Sequence, residues 1–322
     1  MPVLARKRRW TGVAAWTVTG MFAVWAALRL VPGDVGFHWV RLVAFTPVVA
    51  FCSPVAVAVA SLARRWYAAG VAGLVCLVMA ALVGPRALPG EVAPPQGPRL
   101  RVLSANLLVG SVPGEALVRL VRDLRPDVLA LQELTPTAAE ALRDAGLHEL
   151  LPHQAREARP GVGGSGIYSR FPVNQREVID FGGFAQLRAT VEAPGRNVDV
   201  VSVHPCAPAR ADKYRCWADG LAALPPADGD ARVLMGDFNA TLDHARMRAL
   251  LATGYRDAAD ATGDGLATTW PVISWRFHGV PIPSVTLDHV LAGGGTRVHA
   301  FSTHVLPGTD HRAVFADLTL QR

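Results

Sequence analysis

Three long apolar runs dominate the first quarter of the chain. They cover about residues 10–28, 39–62 and 66–83, and short segments with arginine or aspartate separate them. Each run approaches the ~20 residues that a helix needs to cross the hydrocarbon core of a bilayer. None has the polar stripe of a helix on the surface of a soluble domain. The pattern therefore predicts a membrane domain over residues 1–83 with three transmembrane helices.

Two other interpretations of the apolar runs stay open. The basic segment Arg6–Arg9 before an apolar run is also typical of a signal peptide, although the two later runs disfavour this. A buried helical core is the second alternative. In the second run, Arg41 is expected to snorkel to the membrane interface, and Pro47 and Pro54 predict a kink.

The basic residues predict how the spans are oriented. Arg6–Arg9 precede the first span, and Arg64 and Arg65 separate the second from the third. The loop between the first two spans carries Asp34 instead. Because basic loops remain in the cytoplasm, three crossings place everything after residue 83 outside. We therefore predict a multi-pass protein of the plasma membrane with a cytoplasmic N-terminus and an extracellular C-terminal domain.

Beyond the spans, the pattern changes twice. Residues 84–98 are rich in proline and glycine, which predicts a stiff, extended linker. Residues 99–322 then alternate strand-like and helix-like segments, as one large α/β domain does. Strands are predicted at about 99–108, 127–131, 187–192, 198–203, 233–237, 286–291 and 314–320, and helices at about 115–124, 135–145, 209–223 and 243–251.

Charge and cysteine content narrow the function. Residues 1–97 carry nine Lys/Arg and two acids, and residues 98–322 carry 23 Lys/Arg and 24 acids. The domain lacks the clustered positive charge of a dedicated nucleic-acid binder, so nucleic acid is the less favoured partner. Cys206 and Cys216 are the two cysteines after residue 98. A disulfide and two free thiols both remain open, because spacing does not fix their distance.

Polar residues that suit phosphate chemistry lie at or near the ends of the predicted strands. Each has an ordinary alternative, such as a turn cap or a packed histidine, but together they point to one site. The candidates are Asn106, Glu133, His204, Asp237, Asn239, Asp288, Asp310 and His311. Tyr168 and His289 are assigned to packing, and for Thr268–Trp270 core packing is favoured over the alternative that they line the rim of the site.

These motifs resemble the endonuclease/exonuclease/phosphatase superfamily, which includes DNase I-like nucleases, neutral sphingomyelinases and inositol-polyphosphate 5-phosphatases. The resemblance runs from about Arg99 to the C-terminus. It rests on SAN, LQE, GIYSR, VHP, GDFN, LDH and TDHRAV, in this order. It implies a four-layer α/β fold, in which helices flank two packed mixed sheets, with the site at one edge.

The resemblance and the residue types together suggest roles. Glu133 is expected to bind Mg²⁺, with Mn²⁺ as an alternative, and Asn106 and Asp310 to lie near that metal. Asp237 is expected to activate water or to share a second metal. Asn239 is expected to donate to a phosphate oxygen, and His204 to bind phosphate or to protonate the leaving group. His311 contacts the phosphate or positions the nucleophile, oriented by Asp288.

Three spans followed by such a domain also resemble the VanJ-type glycopeptide-resistance membrane proteins of actinomycetes. This implies hydrolysis of a lipid-linked phosphate at the outer leaflet, such as undecaprenyl pyrophosphate, with the lipid bilayer as partner. A membrane-tethered extracellular nuclease, a sphingomyelinase-like phosphodiesterase and a non-enzymatic receptor are the alternatives.

Overall fold

The apolar N-terminal runs fold into helices. The computed structural model describes residues 2–90, 97–277 and 279–321. Five helices come first: α1 (Pro2–Leu30), α2 (Gly36–Val43), α3 (Thr46–Cys52), α4 (Pro54–Leu62) and α5 (Trp66–Val83). The stretches Trp10–Leu30 and Trp66–Ala87 are long and apolar enough to cross a membrane. A third span exists only if the bent pair of α2 and Thr46–Leu62 counts as one.

The bend in the second apolar run measures 65° and follows from Pro47. A proline ring clashes with the carbonyl four residues earlier, here that of Val43, where α2 ends. The hydroxyl of Thr46 donates a hydrogen bond of 2.6 Å to this carbonyl. Just before Pro54, the hydroxyl of Ser53 donates a similar hydrogen bond of 2.7 Å to the carbonyl of Ala50. Helices α3 and α4, on either side of this point, nevertheless belong to the same arm of the bent pair.

The predicted linker begins with folded structure. Gly84–Ala87 forms a 3₁₀ turn, whose Arg86 carbonyl accepts a hydrogen bond of 3.0 Å from the N–H of Gly265. The N–H of Gly90 donates to the Ala261 carbonyl at 3.0 Å. The start of the linker therefore packs on the following domain, while residues 91–96 lie outside the described residues.

Two six-stranded sheets form the C-terminal domain. In order, the first contains β13, β14, β1, β2, β4 and β3, and the second β5, β6, β7, β8, β12 and β9. A separate hairpin joins β10 to β11. The strands are β1 (Arg99–Asn106), β2 (Val128–Gln132), β3 (His153–Glu157), β4 (Ser165–Ser169), β5 (Val173–Phe181), β6 (Phe184–Ala193), β7 (Arg196–Val203), β8 (Arg232–Asp237), β9 (Arg256–Asp257), β10 (Arg276–Phe277), β11 (Val280–Pro281), β12 (Asp288–Gly293), β13 (Thr296–Val305) and β14 (Arg312–Leu320).

Helices cover both outer faces of the sheet pair. They are α6 (Gly114–Leu124), α7 (Pro136–Asp144), α8 (Leu147–Leu150), α9 (Tyr214–Ala222), α10 (Ala245–Leu251) and α11 (Ala258–Thr262). One apolar cluster fills the space between the sheets, a second lies under α6–α8, and a third lies under α9 and α10. This arrangement confirms the predicted two packed mixed sheets flanked by helices.

The N-terminal helices dock on this domain through polar contacts. Asp34, in the turn after α1, caps α10 by accepting hydrogen bonds from the N–H groups of Ala245 and Arg246, at 2.9 and 3.0 Å. His244 Nε2 lies 2.9 Å from the carbonyl oxygen of Val40 in α2. Val40 is 1% exposed and belongs to the apolar cluster under α9 and α10. Helix α2 is therefore also part of the outer layer of the C-terminal domain.

Candidate active site

The sheet topology brings the predicted polar residues to one edge. Strands β1 and β2 are parallel, as are β7 and β8, so their carboxyl ends face the same way. Strands β12 and β14 run antiparallel to β8 and β1, so they begin where those strands end. Asp288 at the start of β12 consequently pairs with Asp237 at the end of β8. The eight candidates lie together at this edge. The pattern of apolar and polar residues alone did not determine that they would meet there.

Asn106 joins two carboxylates from different sheets. Its Nδ2 donates to Glu133 Oε1 at 3.3 Å and to Asp237 Oδ2 at 3.1 Å. Its Oδ1 accepts from the N–H of Leu108 at 2.9 Å. The amide therefore presents its nitrogen to the carboxylates, and in this geometry it supports the predicted metal site without offering an oxygen.

Unusual backbone conformations shape the site. Glu133, Asn239 and Val109 have positive φ angles of 57°, 48° and 54°, which are uncommon outside glycine. The N–H of Val109 donates to Glu133 Oε2 at 2.6 Å, and the N–H of Asn239 donates to Asp237 Oδ1 at 2.8 Å. Such strain concentrates at functional sites, where the surrounding structure maintains it.

His311 lies between two carboxylates. Its Nδ1 is 2.9 Å from Asp288 Oδ2, and its Nε2 is 3.7 Å from Asp237 Oδ2. Burial lowers the pKa of His311, but Asp288 and Asp237 outweigh it and raise the pKa to about 10. His311 is therefore a cation at neutral pH. The hydroxyl of Thr269 accepts the N–H groups of Leu287 and Asp288, at 2.9 and 3.0 Å, and so holds the start of β12 in place.

His204 differs from His311 in charge. Its Nε2 lies 3.6 Å from Asp237 Oδ2 and 3.8 Å from Glu133 Oε1. Burial lowers its pKa and outweighs the attraction of Asp237, so the ring is neutral at pH 7. Its buried Nδ1 has no hydrogen-bond partner among the described residues. For the carboxyl group of Asp237, burial has the opposite effect and raises the pKa, which favours the action of Asp237 as a general base.

Asn239 stands beside Asp237 with part of its hydrogen-bonding capacity in use. Its Nδ2 donates to the carbonyl oxygen of Pro205 at 3.1 Å. An amide nitrogen carries two hydrogens, so one is left for a ligand. Asn239 also lines the cavity described below.

A divalent cation suits the acidic residues of this edge. Asp310 Oδ1 is buried without a hydrogen-bond partner among the described residues, whereas its Oδ2 accepts from Trp270 Nε1 at 2.8 Å. Glu133 is 8% exposed, and burial raises its pKa. Buried carboxylates near one another repel unless a cation or a proton lies between them. Glu133 and Asp310 thus fit a metal, although the ion's identity is not fixed by them.

Asp237, Asp288 and His311 form a second candidate group, whose ligand atoms lie within 4.8 Å of one another. We favour Glu133 and Asp310, because His311 Nδ1 is directed at Asp288, whereas Asp310 Oδ1 has no hydrogen-bond partner among the described residues.

A large cavity of about 1010 Å³ opens at this edge. Its floor contains Glu133, His204, Asp237, Asp310 and His311. Most of the remaining lining is apolar and comes from two places. One is α2 with the residues that follow it, and the other is the segment around the β10–β11 hairpin, which includes Trp270, Trp275 and Ile282.

Several site residues differ from their sequence assignment or were missed. Trp270, assigned to packing, lines the cavity and binds Asp310, and Thr269 supports Asp288. His289 is buried against Asp257 at 2.8 Å, and Tyr168 lies in the core of the first sheet, as expected. Cys206 and Cys216 form a disulfide with a Cα separation of 5.7 Å. Apart from the charged Arg41 in an apolar run, no feature of the sequence indicated that α2 lines the cavity.

Known proteins share this domain. The sequence model of the Endonuclease/Exonuclease/phosphatase family matches residues 103–311, more than half of the chain. No curated protein matches this chain.

Solved structures share the fold at low identity. The endonuclease/exonuclease/phosphatase from Beutenbergia cavernae DSM 12333 is 18% identical, with a TM-score of 0.51, over 69% of this chain and 72% of that one. Humanized D. rerio TDP2 is 18% identical, with a TM-score of 0.54, over 69% and 99%. D. rerio TDP2 complexed with single strand DNA product is also 18% identical, with a TM-score of 0.52 and the same coverage.

Proposed function

The chain belongs to the endonuclease/exonuclease/phosphatase family, and on this premise we propose that it hydrolyses a lipid-linked phosphate or pyrophosphate at the outer leaflet of the plasma membrane. Family membership supports a phosphoesterase or nuclease hydrolase. Undecaprenyl pyrophosphate is the proposed substrate, in envelope metabolism or glycopeptide resistance of the VanJ type.

The shared cavity is the observation that carries the proposal. Catalytic candidates form its floor, whereas α2 and the β10–β11 segment give it apolar walls. Burying apolar substrate surface contributes about 25 cal/mol per Å². A nucleic acid would need basic walls to contact its phosphates, but Arg41 is the one arginine or lysine among the described lining residues.

Hydrolysis places a water oxygen on phosphorus, breaks the bond from phosphorus to the leaving oxygen and returns a proton to that oxygen. Asp237 takes the proton of the attacking water, because its carboxylate faces the open cavity and its pKa is raised by burial. His311 donates an N–H to a phosphoryl oxygen, with its charge maintained by Asp288. His204 and the second amide hydrogen of Asn239 complete the phosphate contacts. A bound Mg²⁺ on Glu133 and Asp310 would offset the charge of the phosphoryl oxygens.

The helix positions support a third crossing of the membrane. Arg29 at the end of α1 and Arg86 after α5 both reach the C-terminal domain. Arg65, just before α5, lies at the opposite end, where a Cβ on Gly12 would be 3.1 Å from its Cζ. The chain from Asp34 to Arg65 must therefore run the length of the bundle. We infer that the bent pair is the second of three spans.

The positions of the basic residues also support an outward orientation of the C-terminal domain. Arg64 and Arg65 lie at the end remote from the domain, which the positive-inside rule assigns to the cytoplasm. The catalytic domain then lies outside. The Cys206–Cys216 disulfide supports this, because disulfides persist in oxidising compartments.

A substrate panel tests the function. Purified full-length protein with Mg²⁺ is given undecaprenyl pyrophosphate, sphingomyelin and duplex DNA in separate reactions. We expect release of inorganic phosphate from the first. DNA cleavage without phosphate release would establish the nuclease alternative, which the DNA-product complex of D. rerio TDP2 keeps in view. Choline phosphate from sphingomyelin alone would establish the phosphodiesterase alternative.

A further inference from the structure

We propose that α2 is part of the substrate site, with Arg41 binding the phosphate next to the one attacked at Asp237. This inference rests on the proposed function and specifies it. The substrate class is then an apolar chain that carries two linked phosphates, and a residue outside the matched family region recognises the second. The observations below concern the position of α2, its rigidity and the charge of the cavity.

Helix α2 contributes His38, Val40, Arg41 and Leu42 to the cavity lining. His38 and Arg41 are exposed, whereas Trp39 and Val40 are 7% and 1% exposed. Residues three apart in a helix lie on one face, so His38 and Arg41 form a short polar strip. This strip shares one cavity with His204, Asp237 and His311 on the floor.

Helix α2 is fixed against the catalytic domain. Its Val40 carbonyl oxygen is 2.9 Å from His244 Nε2, and the Val40 side chain packs in a cluster with Trp217 and Phe238. On the other side, the rings of Trp25 and Trp39 meet edge to face at 5.2 Å. A wall held on both sides can keep a guanidinium at a defined place relative to the catalytic residues.

The charge of Arg41 is available to a ligand. Among the described residues, no carboxylate lies within ion-pair distance of it, and its guanidinium stands 5.4 Å from the ring centroid of Phe37. A guanidinium matches the oxygens of a phosphate with two parallel hydrogen bonds. The carboxylates on the floor would repel a second phosphate, so a diphosphate needs a separate cation in the cavity. Arg41 is the one arginine or lysine side chain on these walls among the residues that the structure describes.

Exchange of Arg41 for glutamine tests the assignment by substrate selectivity. Full-length wild type, R41Q, R41K and R119Q are assayed with Mg²⁺ on farnesyl pyrophosphate and on bis(p-nitrophenyl) phosphate, which has one phosphorus. Arg119 is an exposed arginine of α6 that does not line the cavity, so R119Q controls for loss of one positive charge. Binding of farnesyl pyrophosphate is measured in parallel by calorimetry, so that the result does not depend on turnover.

In R41Q, the ratio of kcat/KM for farnesyl pyrophosphate to that for the diester is expected to fall about tenfold, mainly through KM, as expected for one charged hydrogen-bonded contact. R41K retains part of the ratio, and R119Q retains all of it. Equal affinities of wild type and R41Q for farnesyl pyrophosphate would overturn the inference. If wild type binds but does not hydrolyse it, the proposed function fails, whereas weaker binding by R41Q would still support the role of Arg41.

Discussion

Asp237 is contacted on several sides by groups that set its chemistry. Its Oδ2 lies 3.1 Å from Asn106 Nδ2, 3.6 Å from His204 Nε2 and 3.7 Å from His311 Nε2. Its Oδ1 accepts the N–H of Asn239. One oxygen is therefore held by the backbone, and the other faces the two imidazoles.

Exchange of Asp237 for asparagine should lower kcat by about 10²–10⁴-fold, because the shape is kept and the base is lost. Phosphate release at saturating substrate measures this. D219N, which alters an exposed acid of α9, is the control and should match wild type. A D237N enzyme with more than a tenth of wild-type kcat would exclude Asp237 as the base.

Trp270 acts on the proposed metal through Asp310. W270F removes the N–H that binds Asp310 Oδ2 and keeps an aromatic ring in the cavity wall. Loss of such an outer partner typically weakens metal affinity by about 10–100-fold. The Mg²⁺ concentration for half-maximal activity should rise accordingly in W270F. Trp275, another cavity residue, provides the control W275F, and the same Mg²⁺ requirement in both variants would contradict this role.

At the scale of single residues, the sequence indicated which residue types form the candidate site better than it indicated how their side chains are oriented. Polar residues at the ends of apolar strands, or at the starts of strands for Asp288, Asp310 and His311, marked all eight candidates. Pattern did not reveal that Asn106 turns its nitrogen toward the carboxylates, or that Trp270 reaches Asp310. Such contacts depend on tertiary packing between residues that are 27 or more positions apart in the sequence.

Among the elements, the loop after β8 connects this strand to the N-terminal helices. Asp243, in this loop, is fully buried and binds Arg86 through two hydrogen bonds of 2.7 and 2.8 Å. Arg29 Nε from the end of α1 binds the same carboxylate at 2.6 Å. Burial alone would raise the pKa of Asp243, but the two guanidiniums outweigh it and lower the pKa, so the carboxylate is ionised.

Exchange of Asp243 for alanine should destabilise the full-length protein by about 3–5 kcal/mol, because two buried guanidiniums lose their partner. The midpoint of thermal unfolding in detergent, converted with the measured unfolding enthalpy, gives the change. D144A is the matched control, since Asp144 forms an ion pair at the surface, with both side chains more than 60% exposed, where such pairs contribute little. Equal midpoints for D243A and D144A would show that the two parts are not joined through this cluster.

Element prediction succeeded where period and capping were strong. Helix α7 begins after Thr135, whose hydroxyl accepts the N–H of Ala138 at 3.1 Å, as the capping pattern predicts. The edge strands β3, β5 and β13 were missed, because their half-exposed positions lack a clear apolar alternation. The helix predicted from residue 209 begins at Tyr214, after a 3₁₀ turn at Ala211–Lys213.

Over the whole molecule, the N-terminal helices and the C-terminal domain form one cavity between them. Helix α2 belongs by sequence to the second apolar run, yet Val40 packs in the core of the domain and Arg41 lines the site. This arrangement supports the proposal that a substrate with its apolar chain in the bilayer presents its phosphate to the candidate residues on the floor of the cavity. This dual role of α2 could not be read from the linear sequence, which separates it from residue 99 by a predicted linker.

The dependence of hydrolysis on lipid length tests this account most directly. Full-length protein with Mg²⁺ is assayed for phosphate release from inorganic, geranyl and farnesyl pyrophosphate. Because each buried CH₂ contributes about 0.8 kcal/mol, kcat/KM should rise at least about tenfold with each step to a longer chain. A kcat/KM for inorganic pyrophosphate equal to that for farnesyl pyrophosphate would contradict a lipid-linked substrate.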